Sequence, residues 1–394
     1  MVPKGWTLGT LKDLADMIMG YAFRSEDFVP TGIPLLRMGN LYQNTLDLNR
    51  NPVYLPDSFK VDYKRFLVSP GDLVMSMTGT MGKRDYGFTV EIPSNTQCSL
   101  LNQRVLKIVP KNNASSGYIL NLLRSELILS VLYSFPGGTK QANLSAKQLQ
   151  ELPVLIPPEL EQKKIAQILS TWDKAISVTE KLLTNSQRQK KALMQQLLTG
   201  NKRLLDENGV RFNGKWEKKL LSDVADVYQP KTISQSMMSD SGYPVYGANG
   251  VIGFYQEFNH ETEQIAVTCR GSTCGIVNWT QAKSWITGNA MVINTDNYSY
   301  VSKKFLFYTL NGSDLKYLIS GSGQPQITGN IKTHIINLPC IEEQQKIATV
   351  LSAADAEIYT LEKKLACLRD EKKALMQQLL TGKRRVKVDE AVAE

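Results

Sequence analysis

No constellation of catalytic residues is apparent in this chain of 394 residues, which has only two histidines. Neither of its two histidines, His260 and His334, has a cysteine or carboxylate at ligand spacing, so metal binding and histidine base chemistry are not expected. Cys269 and Cys274 lie close together without a second pair, which favours small core or loop residues over a metal site. The sequence therefore predicts no catalytic residues and no metal ligands.

Polar loops with glycine, in contrast, carry side chains suited to phosphates and base edges. Residues 78–84 follow a predicted strand at 71–77, and residues 269–275 follow a predicted strand at 265–269. Glycine permits close backbone approach, and Thr, Lys and Arg side chains suit phosphate oxygens. The glycine-rich segments lack the spacing and the Lys-Ser/Thr ending of a phosphate-binding P-loop. These loops favour contacts to nucleic acid over nucleotide hydrolysis.

Two further glycine-rich segments, 137–141 and 323–326, end the same two regions of the chain. Gln pairs with adenine in the major groove, and Arg or Lys pairs with guanine. Each loop alone is also typical of a solvated strand end, but recurrence at matching places favours a function. The predicted DNA-binding residues are Thr78, Thr80, Lys83, Arg84, Lys140, Gln141, Arg270, Ser272, Thr273, Gln324 and Gln326.

An internal repeat organises the chain. Residues 190–200 recur letter for letter at 372–382, an offset of 182. Over 161–200 against 343–382, 23 of 40 positions are identical without a gap. A weaker repeat with an offset of 210 matches Trp6 to Trp216. The chain therefore alternates two variable regions with two similar segments.

The two similar segments read as long helices. Their apolar positions are spaced alternately by four and three residues, which is a heptad seam. Proline precedes each segment and glycine ends it, and about 40 residues correspond to roughly 60 Å of helix. The shared seam favours mutual packing over two unrelated surface helices. The residues on the seam that are predicted to lie at a subunit interface are Ile165, Leu169, Trp172, Ile176, Leu193, Leu197, Ile347, Leu351, Ile358, Leu361, Leu365, Leu375 and Leu379.

Composition indicates a folded protein of moderately basic character. Hydrophobic residues make up 42% and the formal net charge is +9, which is compatible with nucleic acid but does not establish it. No apolar run approaches a membrane span, the first residues do not form a secretory signal, and five scattered cysteines make no disulfide framework. We expect a cytoplasmic protein without a membrane partner.

The predicted fold class is α+β, with two mixed α/β regions joined by two long helices. Helices are expected at 116–132 and 302–318 within the variable regions. The expected bounds are 1–158 for the first variable region, 159–200 for the central helix, 201–215 for a linker, 216–341 for the second variable region, 342–385 for the C-terminal helix and 386–394 for a tail.

Taken together, these features resemble the specificity (S) subunits of type I restriction–modification systems. The resemblance covers the whole chain, and its motifs are specific as a combination. The residues that carry it are Pro3–Trp6, Leu11–Ala15, Leu155–Pro158, Glu161, Gln162, Ile165, Ala166, Leu169, Asp173, the two Leu-Leu-Thr-Gly endings and Trp216.

The resemblance implies a non-catalytic role. Each variable region would be a target recognition domain that reads one half of a split, asymmetric sequence in double-stranded DNA. The helices would pack antiparallel as a coiled-coil spacer with pseudo-twofold symmetry, and would dock two methyltransferase (M) subunits and restriction (R) subunits. S-adenosylmethionine, ATP and Mg are expected in those partners, and no cofactor on this chain. The central helix has no short tandem repeat, so the spacer length should be fixed.

Two alternatives remain at this point. A stand-alone methyltransferase requires a cofactor-binding fold, and only Asn51–Tyr54 is similar to an amino-methyltransferase motif, without its second proline. Binding of S-adenosylmethionine by the isolated chain would favour this alternative. A coiled-coil protein adaptor predicts no sequence-specific DNA binding even when the partners are supplied.

Overall fold

The computed structural model of the chain describes residues 2–111, 113–135, 141–247, 249–321 and 324–388. None of the helices in these ranges is both long enough and apolar enough to cross a membrane. The α-helices are α1 (Leu11–Leu14), α2 (Phe59–Asp62), α3 (Ser116–Arg124), α4 (Glu126–Ser134), α5 (Ala146–Gln150), α6 (Glu159–Leu197), α7 (Leu221–Val224), α8 (Lys303–Asn311) and α9 (Ile341–Leu380). Short 3-10 helices occupy Ser25–Asp27, Met38–Asn40, Lys64–Phe66, Gln235–Met237, Lys316–Leu318 and Gly329–Thr333.

The strands are short and fall in the two variable regions. Those of the first are β1 (Thr7–Thr10), β2 (Ala15–Met19), β3 (Ile33–Leu36), β4 (Leu41–Tyr42), β5 (Thr45–Leu46), β6 (Tyr54–Leu55), β7 (Leu67–Val68), β8 (Leu73–Ser76), β9 (Thr78–Thr80), β10 (Thr89–Glu91), β11 (Ser99–Leu101), β12 (Val105–Pro110), β13 (Gln141–Asn143) and β14 (Pro153–Ile156). Those of the second are β15 (Glu217–Leu220), β16 (Asp226–Tyr228), β17 (Tyr243–Tyr246), β18 (Val251–Tyr255), β19 (Ile265–Thr268), β20 (Val277–Trp279), β21 (Trp285–Ile286), β22 (Ala290–Asn294) and β23 (Ile335–Leu338).

The chain divides into two compact units. The first unit is Met1–Thr179 with Lys364–Glu394, and the second unit is Glu180–Lys363. Each therefore contains one variable region, the first half of one long helix and the second half of the other. α6 has 39 residues and α9 has 40, each about 60 Å long.

The two units share the topology of their main antiparallel sheet. In the first, an antiparallel sheet has the order β10-β8-β12-β2, and in the second the order is β20-β19-β22-β16. A second sheet in each contains one parallel pair, β3 with β11 and β17 with β21. The first and last strands of each variable region also pair, β1 with β14 and β15 with β23. The variable regions thus share a framework although their sequences have diverged.

Each hydrophobic core joins a variable region to both long helices. In the first unit, the buried side chains of Leu122 and Leu169 lie in one cluster with Leu379. In the second, Phe305 and Leu351 lie in one cluster with Leu197, Leu306, Ile336 and Ile347. Burial of such side chains is worth about 1.5–3 kcal/mol each. The helices are therefore part of the cores and not separate appendages.

The structure differs from the sequence prediction at two helices. The segment predicted as one helix at 116–132 forms α3 and α4, because Ser125 has an extended backbone and its hydroxyl donates to the carbonyl of Leu122. The segment at 302–318 leaves the α-helical conformation after Asn311, where Gly312 follows. Near Gly312 the side chain of an L-residue would meet Leu198 and Met194 closely.

Candidate nucleic-acid and partner interfaces

The loop after β9 in the first unit closes on one carboxylate. Asp85 Oδ1 accepts a hydrogen bond from the Thr80 N–H at 2.7 Å, and the Lys83 N–H donates to the Thr80 carbonyl at 3.0 Å. A side chain at Gly79 would clash with Asp85 and Tyr86, so glycine lets the loop close. Burial acts to raise the pKa of Asp85, but the hydrogen bonds from Thr80 outweigh it and the pKa is lowered. The loop is therefore held with Thr80 and Lys83 exposed.

Two other predicted residues of this loop are already engaged within the chain. Thr78 is only 4% exposed and its hydroxyl donates to Asn143 Oδ1 at 3.1 Å, so the prediction that Thr78 contacts DNA is corrected. Arg84 is exposed, pairs with Glu126 at 3.2 Å and lies 5.0 Å from the centre of the Tyr133 ring. Surface ion pairs are weak, so Arg84 can exchange Glu126 for a phosphate.

Strand pairing brings the two predicted segments of the first unit together. β13 pairs antiparallel with β9, so that Gln141 lies opposite Thr80 and Asn143 lies opposite Thr78. Lys140 lies outside the described residues, as does the side chain of Gln141. The segment that ends the variable region is therefore a neighbour of the loop after the central strands.

The second unit has the same arrangement. The Gly271 N–H donates to the Pro325 carbonyl and the Ile327 N–H donates to the Cys269 carbonyl, both at 3.0 Å. Arg270 thereby lies in a bridge opposite Gln326. The predicted residues Arg270, Ser272, Gln324 and Gln326 are exposed, and Thr273 is half-buried.

A cleft lined by arginines in the first unit was not predicted from the sequence. This arginine cleft has a volume of about 480 Å³ and is lined by Arg37, Arg50 and Arg104, with no carboxylate among its lining residues. Arg37 donates to the carbonyl of Asn51, and the Arg50 guanidinium lies 5.4 Å from the centre of the Tyr42 ring. Its remaining lining residues are Met38, Gly39, Asn40, Asn51, Asn102 and Gln103. Such a set attracts an anion and offers donors to base edges.

Replacing Arg270 with alanine is expected to weaken DNA binding by the assembled complex about tenfold and to lower the dependence of log Kd on log salt by about one. The cause is the loss of one exposed cation from the loop after β19. Fluorescence anisotropy over a range of salt concentrations measures both quantities. Lys218→Ala, which removes an exposed cation from β15, is the matched control and should leave both unchanged. Unchanged affinity and slope for the Arg270 variant would remove Arg270 from the interface.

A buried carboxylate holds the start of each long helix. In the first unit, Glu161 accepts hydrogen bonds from Trp6 Nε1 at 3.1 Å and from the Arg385 guanidinium at 2.5 and 3.1 Å. In the second unit, Glu343 accepts from Trp216 Nε1 at 3.2 Å and from the Arg203 guanidinium twice at 2.6 Å. Each network joins the start of a variable region, the start of one helix and the residues that follow the other helix.

Ion pairs join the two long helices within each unit. Lys372 pairs with Asp173 in the first unit and Lys190 pairs with Asp355 in the second, both at 2.5 Å. In the first unit a second ion pair joins Glu161, which precedes Asp173 in α6, to Arg385, which follows Lys372 beyond the end of α9. The two helix segments therefore run antiparallel. Lys190 and Asp173 correspond to Lys372 and Asp355 at the repeat offset of 182, so the two ion pairs are equivalent.

Two grooves have equivalent helix walls. The first groove, of about 740 Å³, lies between α9 and the start of α4, and the second groove, of about 630 Å³, lies between α6 and the end of α8. Five α9 positions line the first and five α6 positions line the second, and they correspond one for one at the offset of 182. They are Arg369, Lys372, Lys373, Met376 and Gln377, and Gln187, Lys190, Lys191, Met194 and Gln195.

The predicted seam residues are distributed between the cores and the helix surfaces. Six of them are at most 2% exposed, and the chain's own variable regions cover them, so their assignment to a surface that another subunit contacts is corrected. These six are Ile165, Leu169, Leu197, Ile347, Leu351 and Leu379. Leu365 is 7% exposed, and the partly buried residues are Trp172, Ile176, Leu193, Ile358, Leu361 and Leu375.

Both histidines are buried beside tyrosines. His260 contacts the Tyr228 hydroxyl at 2.9 Å and His334 contacts the Tyr317 hydroxyl at 2.7 Å. Burial lowers the pKa of both imidazoles. Among the described residues, no group of three or more His, Cys, Asp or Glu side chains is placed to hold a metal ion.

Comparison with known proteins relates the whole chain to one family. A family model described as the type I restriction modification DNA specificity domain matches residues 3–185 and 213–367. A putative type I restriction enzyme MjaX specificity subunit from Methanocaldococcus jannaschii is 25% identical over 419 residues, covering 98% of this chain and 95% of the relative. The EcoKI specificity subunit of Escherichia coli K12 is 21% identical, covering 92% of this chain and 85% of that one. The fold is similar to the crystal structure of a type I S subunit from M. genitalium, with a TM-score of 0.66, 15% identity and 96% of each chain covered.

Proposed function

Because the chain belongs to the family of type I restriction–modification DNA specificity subunits, and is thus a non-catalytic DNA-recognition subunit, we propose that its two variable regions each read one half of an asymmetric DNA target. The observation that carries this proposal is the arrangement repeated in both units. In each, the loop after a central strand pairs with the segment that ends the variable region. One shared framework with different exposed side chains suits two half-sites of different sequence.

The alternative functions are not favoured. The DNA specificity domain matches residues of both variable regions and both long helices of this chain. A coiled-coil adaptor would not require such a domain. The family consists of specificity subunits and not of stand-alone methyltransferases. The chain acts with DNA and with the modification and restriction subunits of a type I system. We place S-adenosylmethionine, ATP and Mg in those subunits and the complex in the cytoplasm, where the DNA to be modified lies.

The two grooves support docking of two copies of one methyltransferase subunit. Residues 190–200 and 372–382 are identical, and this identity includes exposed positions such as Lys191 and Lys373. Earlier in the helices, some exposed positions are identical, as Lys164 and Lys346 are, and others differ, as Lys174 and Ala356 do, whereas the identity of 190–200 with 372–382 is unbroken. Packing within the chain does not require identity at exposed positions, whereas contact with the same partner at two places does. The further exposed identical pairs are Ala192 and Ala374, Gln195 and Gln377, and Gln196 and Gln378.

The chemistry of the grooves indicates what the partner presents. Each groove has an exposed lysine, Lys191 or Lys373, beside a methionine, Met194 or Met376, and an equivalent glutamine amide, Gln195 or Gln377. A complementary surface carries carboxylates around an apolar side chain. The opposite wall of each groove comes from the variable region. In the first groove this wall includes the carboxylate of Glu126, whereas the described residues that line the second groove include no carboxylate. We infer that the identical helix wall sets the partner's identity.

Charge reversal in the grooves tests this docking. Lys191→Glu should remove one methyltransferase copy, Lys373→Glu should remove the other, and the double variant should bind none. Native mass spectrometry of the chain co-expressed with the methyltransferase measures the stoichiometry. Lys174→Glu makes the same charge change at an exposed position of α6 outside the grooves, and it should keep both copies. Two bound copies in the double variant, at unchanged affinity, would contradict docking at the grooves.

A further inference from the structure

We propose that Arg104 and Asn289 are equivalent base-reading residues, and that they make the two half-sites differ: Arg104 reads a guanine and Asn289 reads an adenine. The inference rests on the proposed function and assigns specificity to one position in each unit. The repeat offset of 210 would place the equivalent of Arg104 at position 314, so the sequence does not reveal this correspondence.

Backbone hydrogen bonds establish the equivalence. Residues 102–104 connect β11 to β12, and residues 287–289 connect β21 to β22, so each loop has three residues between equivalent strands. The same three bonds hold each loop to the rest of its unit. In the first unit the N–H groups of Asn102, Val105 and Met77 donate to the carbonyls of Leu36 at 3.0 Å, Asn102 at 2.9 Å and Arg104 at 3.0 Å, respectively. In the second unit the N–H groups of Thr287, Ala290 and Cys269 donate to the carbonyls of Tyr246 at 2.9 Å, Thr287 at 3.1 Å and Asn289 at 3.1 Å, respectively.

These bonds also place both residues beside the loops already assigned to DNA. The Arg104 carbonyl accepts from Met77, which directly precedes β9 and the loop with Thr80 and Lys83. The Asn289 carbonyl accepts from Cys269, which directly precedes Arg270. The base-reading position and the phosphate-binding loop are therefore adjacent in each unit.

Both side chains are exposed and available. Among the residues that the structure describes, none accepts a hydrogen bond from the Arg104 guanidinium, and none pairs with the side-chain amide of Asn289. Arg104 lines the arginine cleft, whose other cations, Arg37 and Arg50, give it a positive surrounding that favours DNA. Asn289 follows Gly288, where a side chain would clash with Thr232. The second loop is therefore closely packed up to Gly288, and Asn289 is the residue that it exposes.

The two side chains have different base preferences. A guanidinium donates two parallel hydrogen bonds to O6 and N7 of guanine, and an asparagine amide pairs with N6 and N7 of adenine. Placing arginine in one unit and asparagine at the same structural position in the other therefore gives two different half-sites from one framework. Loss of one such pair reduces discrimination against the wrong base by about tenfold or more.

The test uses the chain assembled with its methyltransferase subunits and a DNA library in which every position of the target is varied. Arg104→Ala should relax one guanine position in one half-site about tenfold and leave the other half-site unchanged. Asn289→Ala should relax one adenine position in the other half-site. Arg211→Ala, an exposed arginine in the linker between the long helix and the second variable region, should change no position.

The outcomes separate this inference from the proposed function. Equal weakening at all sequences in the Arg104 variant would make it a phosphate contact and overturn its assignment, and an unchanged target profile would do the same. The corresponding results apply to Asn289. A wild-type complex that assembles but prefers no sequence would instead overturn the proposed function itself.

Discussion

Replacing Glu343 with glutamine is expected to lower the free energy of unfolding by about 3 kcal/mol. The Glu343 carboxylate is fully buried and accepts two hydrogen bonds from Arg203 and one from Trp216. A neutral amide leaves the arginine charge without its partner in a poorly solvated place and turns an N–H towards it. Removing one member of a buried ion pair in this way is among the costlier single substitutions. Urea denaturation of the full chain measures the loss.

Two control variants make this prediction specific. Glu342→Gln changes an exposed neighbour on the same helix and should cost less than about 0.5 kcal/mol. Glu161→Gln alters the equivalent network of the first unit. Its partner Arg385 has a side chain that is 41% exposed, against 20% for Arg203 in the second unit, so the effect should be smaller. Equal stability of the Glu343 and Glu342 variants would show that the network does not hold the helix in place.

Removing one heptad from each long helix is expected to shorten the gap between the two half-sites by about three base pairs. Deleting residues 178–184 and 361–367 removes about 10 Å of helix from each, and the rise of DNA is about 3.4 Å per base pair. Both α6 and α9 continue unbroken through these segments. The Lys372–Asp173 and Lys190–Asp355 pairs lie outside the deletions and so remain. Methylation at the original target should be lost and should reappear at a target with a shorter gap.

Sequencing of modified DNA from cells that express the deletion variant with the methyltransferase reads the new gap directly. Insertion of one heptad at the same two places is the opposite control and should lengthen the gap by about three base pairs. A deletion variant that stays assembled and methylates the original target would contradict a role of the helices in setting the gap.

Much of the architecture could be predicted from the sequence because the repeat and the heptad seam are local signals. The identical residues 190–200 and 372–382 define the ends of α6 and α9, where Gly200 and Gly382 adopt positive φ angles of 73° and 67°. The loops around Thr80 and Arg270 could be found because each follows an apolar strand. In contrast, a single helix was predicted where Ser125 divides α3 from α4, because propensity does not reveal an extended residue that tertiary contacts hold.

The recognition surface could be predicted only in part. Arg37, Arg50 and Arg104 are far apart in the sequence and share no motif, and they line one cleft because β3 pairs with β11. The same holds for the correspondence of Arg104 with Asn289, since insertions shift the numbering between the variable regions. Thr78 was predicted as a DNA contact from its residue type, yet the strand pairing turns it towards Asn143. Side-chain direction at strand ends depends on pairing partners that lie far away in the chain.

The most direct test of the proposed function is to co-express the chain with its methyltransferase subunit and to sequence adenine methylation across the host DNA. We expect one asymmetric target in two parts, separated by a fixed gap and methylated on both strands. A stable complex with the methyltransferase that produces no sequence-specific methylation would contradict it.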